Sequence, residues 1–223
     1  YNALHINEKK LQNNVRKLKK LDDLSIAINK ALPASGTVYV HSNNQKWTAS
    51  GFLLQNARFI TACHVIENLT QNSKIIVLFN NDNAYNATIA HKEENIDAAI
   101  LILEHIPQNI TPVMFANPNN IQVGEQIAVI GSPGGWHHVV TTGRIAAINQ
   151  NIEYIEKSLS DFILIDADIE PGSSGSMVID VDGNVIGMVS SLIGEYANIG
   201  IGKKAVIPAR KLLTMIKYTH KNN

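Results

Sequence analysis

Apolar residues change their spacing along this chain, from a helical period near the start to short runs further on. Between residues 4 and 31 they recur three, four or seven positions apart, which is the repeat of an amphipathic helix. Pro33 and Gly36 favour an end to that helix. We expect its lysine-rich face to be solvated and its apolar face to pack on the main body. An oligomer contact and a membrane-surface helix are the alternatives.

From residue 37 to about residue 206, short runs rich in Val and Ile predict strands. Asn, Gly, Pro and Asp separate these runs, and the Asp-Gly-Asn of 182–184 predicts a hairpin. Strands in close succession, with no helical period between them, favour a barrel or sandwich over βαβ units. A leucine-rich stripe predicts a closing helix over 208–218. The predicted strands are 37–41, 47–54, 58–61, 74–79, 85–90, 98–103, 126–130, 138–148, 161–166, 176–180 and 184–190.

Composition narrows the class of protein. The 223 residues suffice to bury a core, and 45% hydrophobic residues argue against general disorder. The 19 basic and 19 acidic residues balance, so no nucleic acid or acidic membrane surface is indicated as a partner. No apolar run reaches the roughly 18 residues of a membrane helix. The only cysteine, Cys63, excludes an intrachain disulfide and is expected to be a small buried hydrophobe.

The segment 170–176 (Glu-Pro-Gly-Ser-Ser-Gly-Ser) has the composition of a tight turn that presents a nucleophile. Gly172 can adopt a backbone angle closed to other residues, which would aim its amide and that of Ser174 at one point. Two such donors stabilise the oxyanion of an acyl-transfer intermediate. A Gly/Ser-rich β-turn without chemistry is the alternative that this segment alone leaves open.

His64 and Asp97 are the candidate base and the group that orients it. A serine hydroxyl needs a base, and histidine is the usual one. His64 follows an apolar strand and has small neighbours, whereas the other histidines lie in polar stretches and are expected to be solvated. Asp97 opens a wholly apolar strand, where a carboxylate needs a partner such as a histidine N–H. A turn-capping role is the alternative for Asp97.

The order of these residues along the chain separates two hydrolase classes. His64, Asp97 and Ser174 follow one another as in the chymotrypsin-like proteases. An α/β-hydrolase needs Gly-x-Ser-x-Gly and a histidine after the serine. Position 176 is Ser, however, and the only later histidine, His220, lies near the chain end. The order therefore favours the chymotrypsin-like arrangement.

Five motifs in the same order give the sequence a resemblance to the HtrA/DegP-type branch of the trypsin-like serine proteases, over roughly residues 36–209. They are 61–65 (TACHV), 97–101 (DAAIL), 131–135 (GSPGG) with 142–145 (TGRI), 171–175 (PGSSG), and 198–202 (NIGIG) before 205–208 (AVIP). The resemblance implies an all-β fold of two perpendicular six-stranded antiparallel β-barrels (chymotrypsin-like), with the site in the cleft between them. The two predicted helices add an N-terminal and a C-terminal helix to these barrels.

The resemblance also divides the chain into units. The helical spacing of apolar residues indicates an N-terminal helical segment over 1–35, and the resemblance implies a trypsin-like protease domain over 36–223. Within that domain we expect barrel one at about 36–112, barrel two at about 113–207 and the closing helix at about 208–218. HtrA relatives carry a PDZ domain after the protease, and this chain has no room for one, so PDZ-triggered activation is not expected.

The family roles, carried onto the matching residues, imply His64 as general base and acid, Asp97 as its orienter and Ser174 as nucleophile. They imply the amides of Gly172 and Ser174 as the oxyanion hole. The implied activity is that of a serine endopeptidase acting on proteins or peptides through an acyl-enzyme, with no cofactor. An inactive or latent binding protein on the same fold is the alternative.

The sequence departs from the family pattern around the nucleophile. Ser173 replaces the usual Asn or Asp, and Ser176 and Met177 replace the usual Gly and Pro or Ala. Glutamyl endopeptidases, a related branch, also have Ser at the position of Ser176, so activity is still expected. The family favours an extracytoplasmic or secreted location, while a homo-oligomer formed through the N-terminal helix is left open.

The resemblance puts the base of the primary specificity pocket at Asp168, six residues before Ser174. A buried carboxylate there would select Arg or Lys in the substrate. If Asp168 bonds to backbone or solvent instead, the pocket would admit small aliphatic side chains, and glutamate specificity is a third alternative. The walls of this pocket are expected at Ile169, Ser190, Ser191 and Leu192. No metal site is expected, because His137 and His138 have no further ligands at suitable spacing.

Overall fold

A computed structural model of the protein describes residue 11 and residues 23–80, 83–154, 157–190 and 204–219. Within these residues, twelve strands form two closed antiparallel barrels of six strands each. The all-β double-barrel fold expected from the sequence is therefore confirmed. Closure leaves neither sheet with a free edge, which removes the aggregation risk of unpaired strands.

Barrel one is built from the first six strands, in the spatial order β1-β2-β3-β6-β5-β4, and β1 closes it by pairing with β4. The strands are β1 (Ser35–Ser42), β2 (Gln45–Leu53), β3 (Arg58–Thr61), β4 (Lys74–Phe79), β5 (Ala84–Glu93) and β6 (Ala98–Leu103). β3 and β6 are antiparallel neighbours with Thr61 opposite Ala99, so the end of β3 and the start of β6 lie together. Phe59 and Phe79 fill the interior edge to face, and both are buried.

Barrel two has the order β10-β11-β12-β9-β8-β7 and closes where β7 pairs with β10. Its strands are β7 (Gln126–Gly131), β8 (Val139–Tyr154), β9 (Lys157–Ile165), β10 (Met177–Ile179), β11 (Val185–Val189) and β12 (Lys204–Pro208). β10 and β11 form the predicted hairpin, with Gly183 at φ +80° in its turn. β12 was missed by the sequence prediction, and β8 extends well past the expected end at 148.

A helix precedes the first barrel and another follows the second. Helix α1 (23–31) buries Leu24, Ala27 and Ala31 at helical spacing, which confirms the packed apolar face for this part of the predicted segment. The rest of the prediction over 4–31 lies outside the described residues, apart from residue 11. Helix α1 packs on the β10–β11 turn, where the Lys30 ammonium donates to the Asp182 carbonyl at 3.5 Å.

Helix α2 (Ala209–Thr219) confirms the predicted closing helix. Leu212 and Met215 are buried on its inner face, and Arg210 forms an ion pair with Asp161. The ammonium of Lys211 lies 4.4 Å from the centre of the Phe162 ring, a cation–π contact that secures the helix to β9. None of the helices in the described ranges has the length and apolar character needed to span a membrane.

Candidate active site

His64 and Asp97 meet where β3 ends and β6 begins. His64 lies in the 3-10 turn Cys63–Ile66 after β3, and Asp97 directly precedes β6 with a left-handed φ of +53°. The His64 ring Nδ1 is 2.9 Å from Asp97 Oδ2 and 3.0 Å from Oδ1. The backbone amide of His64 also donates to Oδ1 at 2.9 Å, so the carboxylate fixes both the main chain and the ring of this residue.

The Asp97 carboxylate is buried, with only 5% of the residue exposed. Burying a charge is costly unless donors replace the lost water. Besides His64, the hydroxyl of Ser190 donates to Asp97 Oδ2 at 2.5 Å. Sequence reasoning expected Ser190 as a wall of the specificity pocket and did not find this contact. No local signal indicates it, because the two residues are far apart in the chain and belong to different barrels.

The hydrogen bond to Asp97 also sets the protonation pattern of the His64 ring. In a neutral imidazole one nitrogen carries a proton and the other accepts. A carboxylate at Nδ1 favours the proton at that position, which leaves Nε2 of His64 as the acceptor. The His64 side chain is 25% exposed, so the ring is accessible from solvent while its carboxylate partner is not.

The segment 170–176 forms a tight turn, as its composition predicts. Gly172 has a φ of +93°, which confirms the expected backbone angle that other residues rarely adopt. Hydrogen bonds within the turn close it: the Ser173 amide donates to the Glu170 carbonyl at 3.0 Å, and the Ser176 amide donates to the Ser173 carbonyl at 2.8 Å. Ser174 is buried in the middle of this turn.

The peptide between Pro171 and Gly172 has a defined orientation. The Pro171 carbonyl accepts a hydrogen bond of 3.0 Å from the amide of Gly134, in the 3-10 turn Pro133–Gly135 after β7. No cis peptide bond occurs in the described part of the chain, and a trans peptide directs its C=O and N–H to opposite sides. The Gly172 amide therefore points away from the Gly134 turn. Within the described ranges it donates to no acceptor.

Two short connections join the Ser174 turn to the residues around His64 and Asp97. On one side, the Ser174 carbonyl accepts from the amide of Ser50 in β2 at 2.9 Å. The Ser50 carbonyl in turn accepts from the hydroxyl of Thr61 at 2.8 Å, three residues before His64. On the other side, the amide of residue 175 donates to the carbonyl of residue 189 at 3.0 Å. Residue 189 directly precedes Ser190, whose hydroxyl donates to Asp97.

Asp168 is not the buried carboxylate that would be needed to select Arg or Lys in a substrate. Its side chain is exposed, and its backbone carbonyl accepts from the hydroxyl of Thr141 at 2.8 Å. Ile169 is partly buried against the apolar core of barrel two. Ser191 and Leu192, the remaining predicted walls, lie outside the described residues. An exposed carboxylate fits the alternative in which Asp168 bonds to backbone or solvent better than the one in which it selects Arg or Lys. The assignment of Asp168 and of the other residues to the specificity pocket stays a prediction.

Two further expectations about reactive side chains have different outcomes. Cys63 is buried, as expected, and burial raises the pKa of its thiol to about 11. The expectation of solvated histidines is wrong for His138, which is half-buried and lies 3.1 Å (Nε2) from the Ser35 carbonyl. Its left-handed φ of +57° accompanies this contact with β1, and burial lowers the pKa of the ring. The described ranges contain no cluster of three or more His, Cys, Asp or Glu suited to a metal ion.

Comparison with known proteins defines the class to which this fold and site correspond. The family model of the trypsin-like peptidase domain matches residues 49–188, and the chain belongs to this family. The particular relatives are of the HtrA/DegP type. A probable periplasmic serine endoprotease, DegP-like, from Chlamydia pneumoniae is 34% identical over 155 residues, which are 69% of this chain and 30% of the relative.

The periplasmic serine endoprotease DegP of Salmonella typhimurium is 29% identical over 163 residues, covering 71% of this chain and 33% of that protein. The chain thus spans about a third of the length of the curated relatives it matches. Among solved structures, the HtrA-type protease AlgW with a decapeptide superposes with a TM-score of 0.72 at 22% identity, over 87% of this chain and 66% of the other. That likeness supports the double-barrel fold.

Proposed function

We propose that the protein is a serine endopeptidase that hydrolyses peptide bonds through an acyl-enzyme, with Ser174 as nucleophile. The observation that carries the proposal is the pairing of the His64 ring with the buried Asp97 carboxylate at 2.9 Å. A buried carboxylate that orients an imidazole suits a general base better than a structural histidine. Membership of the trypsin-like peptidase family supports the same assignment.

In the proposed reaction, the Ser174 hydroxyl oxygen attacks the scissile carbonyl carbon while Nε2 of His64 takes the hydroxyl proton. The carbonyl oxygen becomes an oxyanion, and the imidazolium is stabilised by the Asp97 carboxylate. His64 then gives its proton to the leaving amine as the C–N bond breaks, which leaves an ester on Ser174. Water attacks this ester by the same sequence of proton transfers and restores the free hydroxyl.

The amides of Gly172 and Ser174 are the proposed oxyanion hole. Support comes from the orientation of the peptide between residues 171 and 172, whose carbonyl is engaged by the Gly134 amide at 3.0 Å. A donor that is already aimed does not have to reorganise when the negative charge develops. The positive φ of Gly172 is what allows this direction of the amide.

Replacement of Ser174 by Ala tests the proposal directly. We expect kcat for a peptide substrate to fall about a million-fold, as in other triads. Ser176→Ala is the matched control, since its buried hydroxyl makes no hydrogen bond in the described structure and its loss should leave kcat unchanged. A fluorophosphonate should modify Ser174 in the wild type, as located by peptide mapping. Full activity of the Ser174→Ala protein would refute the mechanism.

We further propose that the substrates are proteins or peptides in an extracytoplasmic compartment, since the DegP relatives are named as periplasmic endoproteases. For primary specificity we propose small aliphatic residues, because the exposed Asp168 carboxylate does not form a buried anionic site. Cleavage rates of matched peptides with Val, Arg or Glu before the scissile bond would test this. Preferential cleavage after Arg would refute the aliphatic preference without affecting the triad.

A further inference from the structure

We propose that Ser50 is a positioning residue for the oxyanion hole, with its hydroxyl holding the carbonyl of Gly172 in place. This inference rests on the proposed peptidase function. Ser50 lies in β2 of barrel one, is fully buried and is not a member of the triad. Its role is to fix, from the opposite barrel, the turn that carries the nucleophile.

All the polar atoms of Ser50 are engaged at the interface between the barrels. Its hydroxyl donates to the Gly172 carbonyl at 2.9 Å and accepts from the amide of Ser132 at 2.8 Å. Its backbone amide donates to the Ser174 carbonyl at 2.9 Å. Its carbonyl accepts from the Thr61 hydroxyl at 2.8 Å. One residue of barrel one therefore holds the carbonyls of both residues whose amides form the proposed oxyanion hole.

The geometry of Gly172 explains why such a contact matters. A glycine has no side chain to restrict its backbone, so the two peptides that flank it have to be held from outside. The Gly134 amide holds the carbonyl before Gly172, and the Ser50 hydroxyl holds the carbonyl after it. If the second contact is lost, rotation at Gly172 can separate the directions of the two oxyanion amides. That separation weakens binding of the transition state more than binding of the substrate.

Two glycines, Gly131 and Gly175, pack closely against Ser50 and leave no room for a side chain of their own. A Cβ at Gly131 would lie 2.8 Å from the Ser50 hydroxyl, and a Cβ at Gly175 would lie 2.0 Å from the Ser50 carbonyl. Both distances are too short for real atoms, so glycines on two sides permit the close approach of β2 to the nucleophile turn. A hydroxyl on this strand is thereby brought into direct contact with that turn.

Ser50→Ala is the test, with Thr37→Val as its matched control. The Thr37 hydroxyl is 2.7 Å from the Ser132 hydroxyl and 2.7 Å from His137 Nδ1 at the same interface. Within the described residues it forms no hydrogen bond with the nucleophile turn. Both variants lose buried hydrogen bonds, and we expect comparable decreases in Tm. Only Ser50→Ala should lower kcat, by about 10- to 100-fold with KM within about twofold, less than the loss of an oxyanion donor itself.

The affinity for a peptide aldehyde is a measurement that would not change if Ser50 only stabilised the fold. The aldehyde forms a hemiacetal with Ser174 whose oxygen occupies the oxyanion hole, whereas the corresponding peptide alcohol has no carbonyl oxygen to place there. Ser50→Ala should weaken the aldehyde by the same factor as kcat/KM and leave the affinity for the alcohol unchanged. Ser50→Cys, which fills the space with a weak donor, should lower kcat in the same direction and serves if the alanine variant does not fold.

The outcomes separate this inference from the proposed function. An active wild type in which Ser50→Ala and Thr37→Val have equal kcat would overturn the role of Ser50 and leave the peptidase assignment intact. The same holds if Ser50→Cys keeps full kcat. A folded wild type that neither cleaves peptides nor reacts with a fluorophosphonate would overturn both. A selective loss of kcat and aldehyde affinity in Ser50→Ala would support the inference.

Discussion

Replacing Gly172 by Ala perturbs the proposed oxyanion hole at a single backbone position. The added Cβ would lie 2.7 Å from the amide nitrogen of Gly134 and 3.4 Å from the carbonyl carbon of Pro133. The first distance is below any real contact, and its partner is backbone rather than a flexible side chain. The two segments have to move apart, which breaks the hydrogen bond between the Gly134 amide and the Pro171 carbonyl. The amide of residue 172 then loses its orientation.

Two separate costs follow from this substitution. Alanine at a positive φ costs roughly 1–2 kcal/mol of folding free energy, and Gly172 has a φ of +93°. For a chain of this size that corresponds to a decrease in Tm of about 2–8 °C. Loss of one oxyanion donor costs about 10²- to 10³-fold in kcat, which is about 2.7–4 kcal/mol of transition-state stabilisation. The second cost is specific to this position.

Gly124→Ala is the control that isolates the catalytic effect. Gly124 has a similar φ of +88°, and a Cβ there would meet no atom within 4 Å. We expect both variants to lose stability, measured by thermal unfolding, but only Gly172→Ala to lose kcat in a peptide-cleavage assay. Active-site titration with a fluorophosphonate corrects for any unfolded fraction. If kcat of Gly172→Ala stays within about twofold of Gly124→Ala, the assigned orientation of this amide is refuted.

Two further predictions concern buried titratable groups. Burial raises the pKa of Cys63 to about 11, so iodoacetamide near pH 8 should alkylate it far more slowly in the native protein than in denaturant. Mass spectrometry measures this difference, and rapid native labelling would contradict it. Burial lowers the pKa of His138 from its ordinary 6.5, so its contribution to stability is full above that pH and declines as the pH falls towards the lowered value. His138→Asn should make Tm fall less steeply as the pH is lowered, whereas the same substitution at the exposed His105 should not. If His138→Asn leaves the dependence of Tm on pH unchanged, another titratable group causes the decrease.

Most strands could be predicted because their apolar runs are local. The predictions for 58–61, 74–79 and 98–103 match β3, β4 and β6 at both ends. β12 was missed since its apolar run is short and ends at a proline that also suits the start of a helix. It is a strand because it pairs with β9 and β11. β8 is longer than predicted because its pairing with β9 continues through several register shifts.

The sequence by itself determined the chemical groups of the proposed site and their order: an imidazole, a carboxylate that opens an apolar strand, and a serine in a glycine turn. Only the tertiary structure decided which donors hold these groups in place. Ser190 on Asp97 and Ser50 on Gly172 are contacts across 93 and 122 residues of chain, respectively. Such contacts depend on how the strands of one barrel pack against the turns of the other. Local periodicity does not predict this packing, because it indicates only which face of each strand is buried.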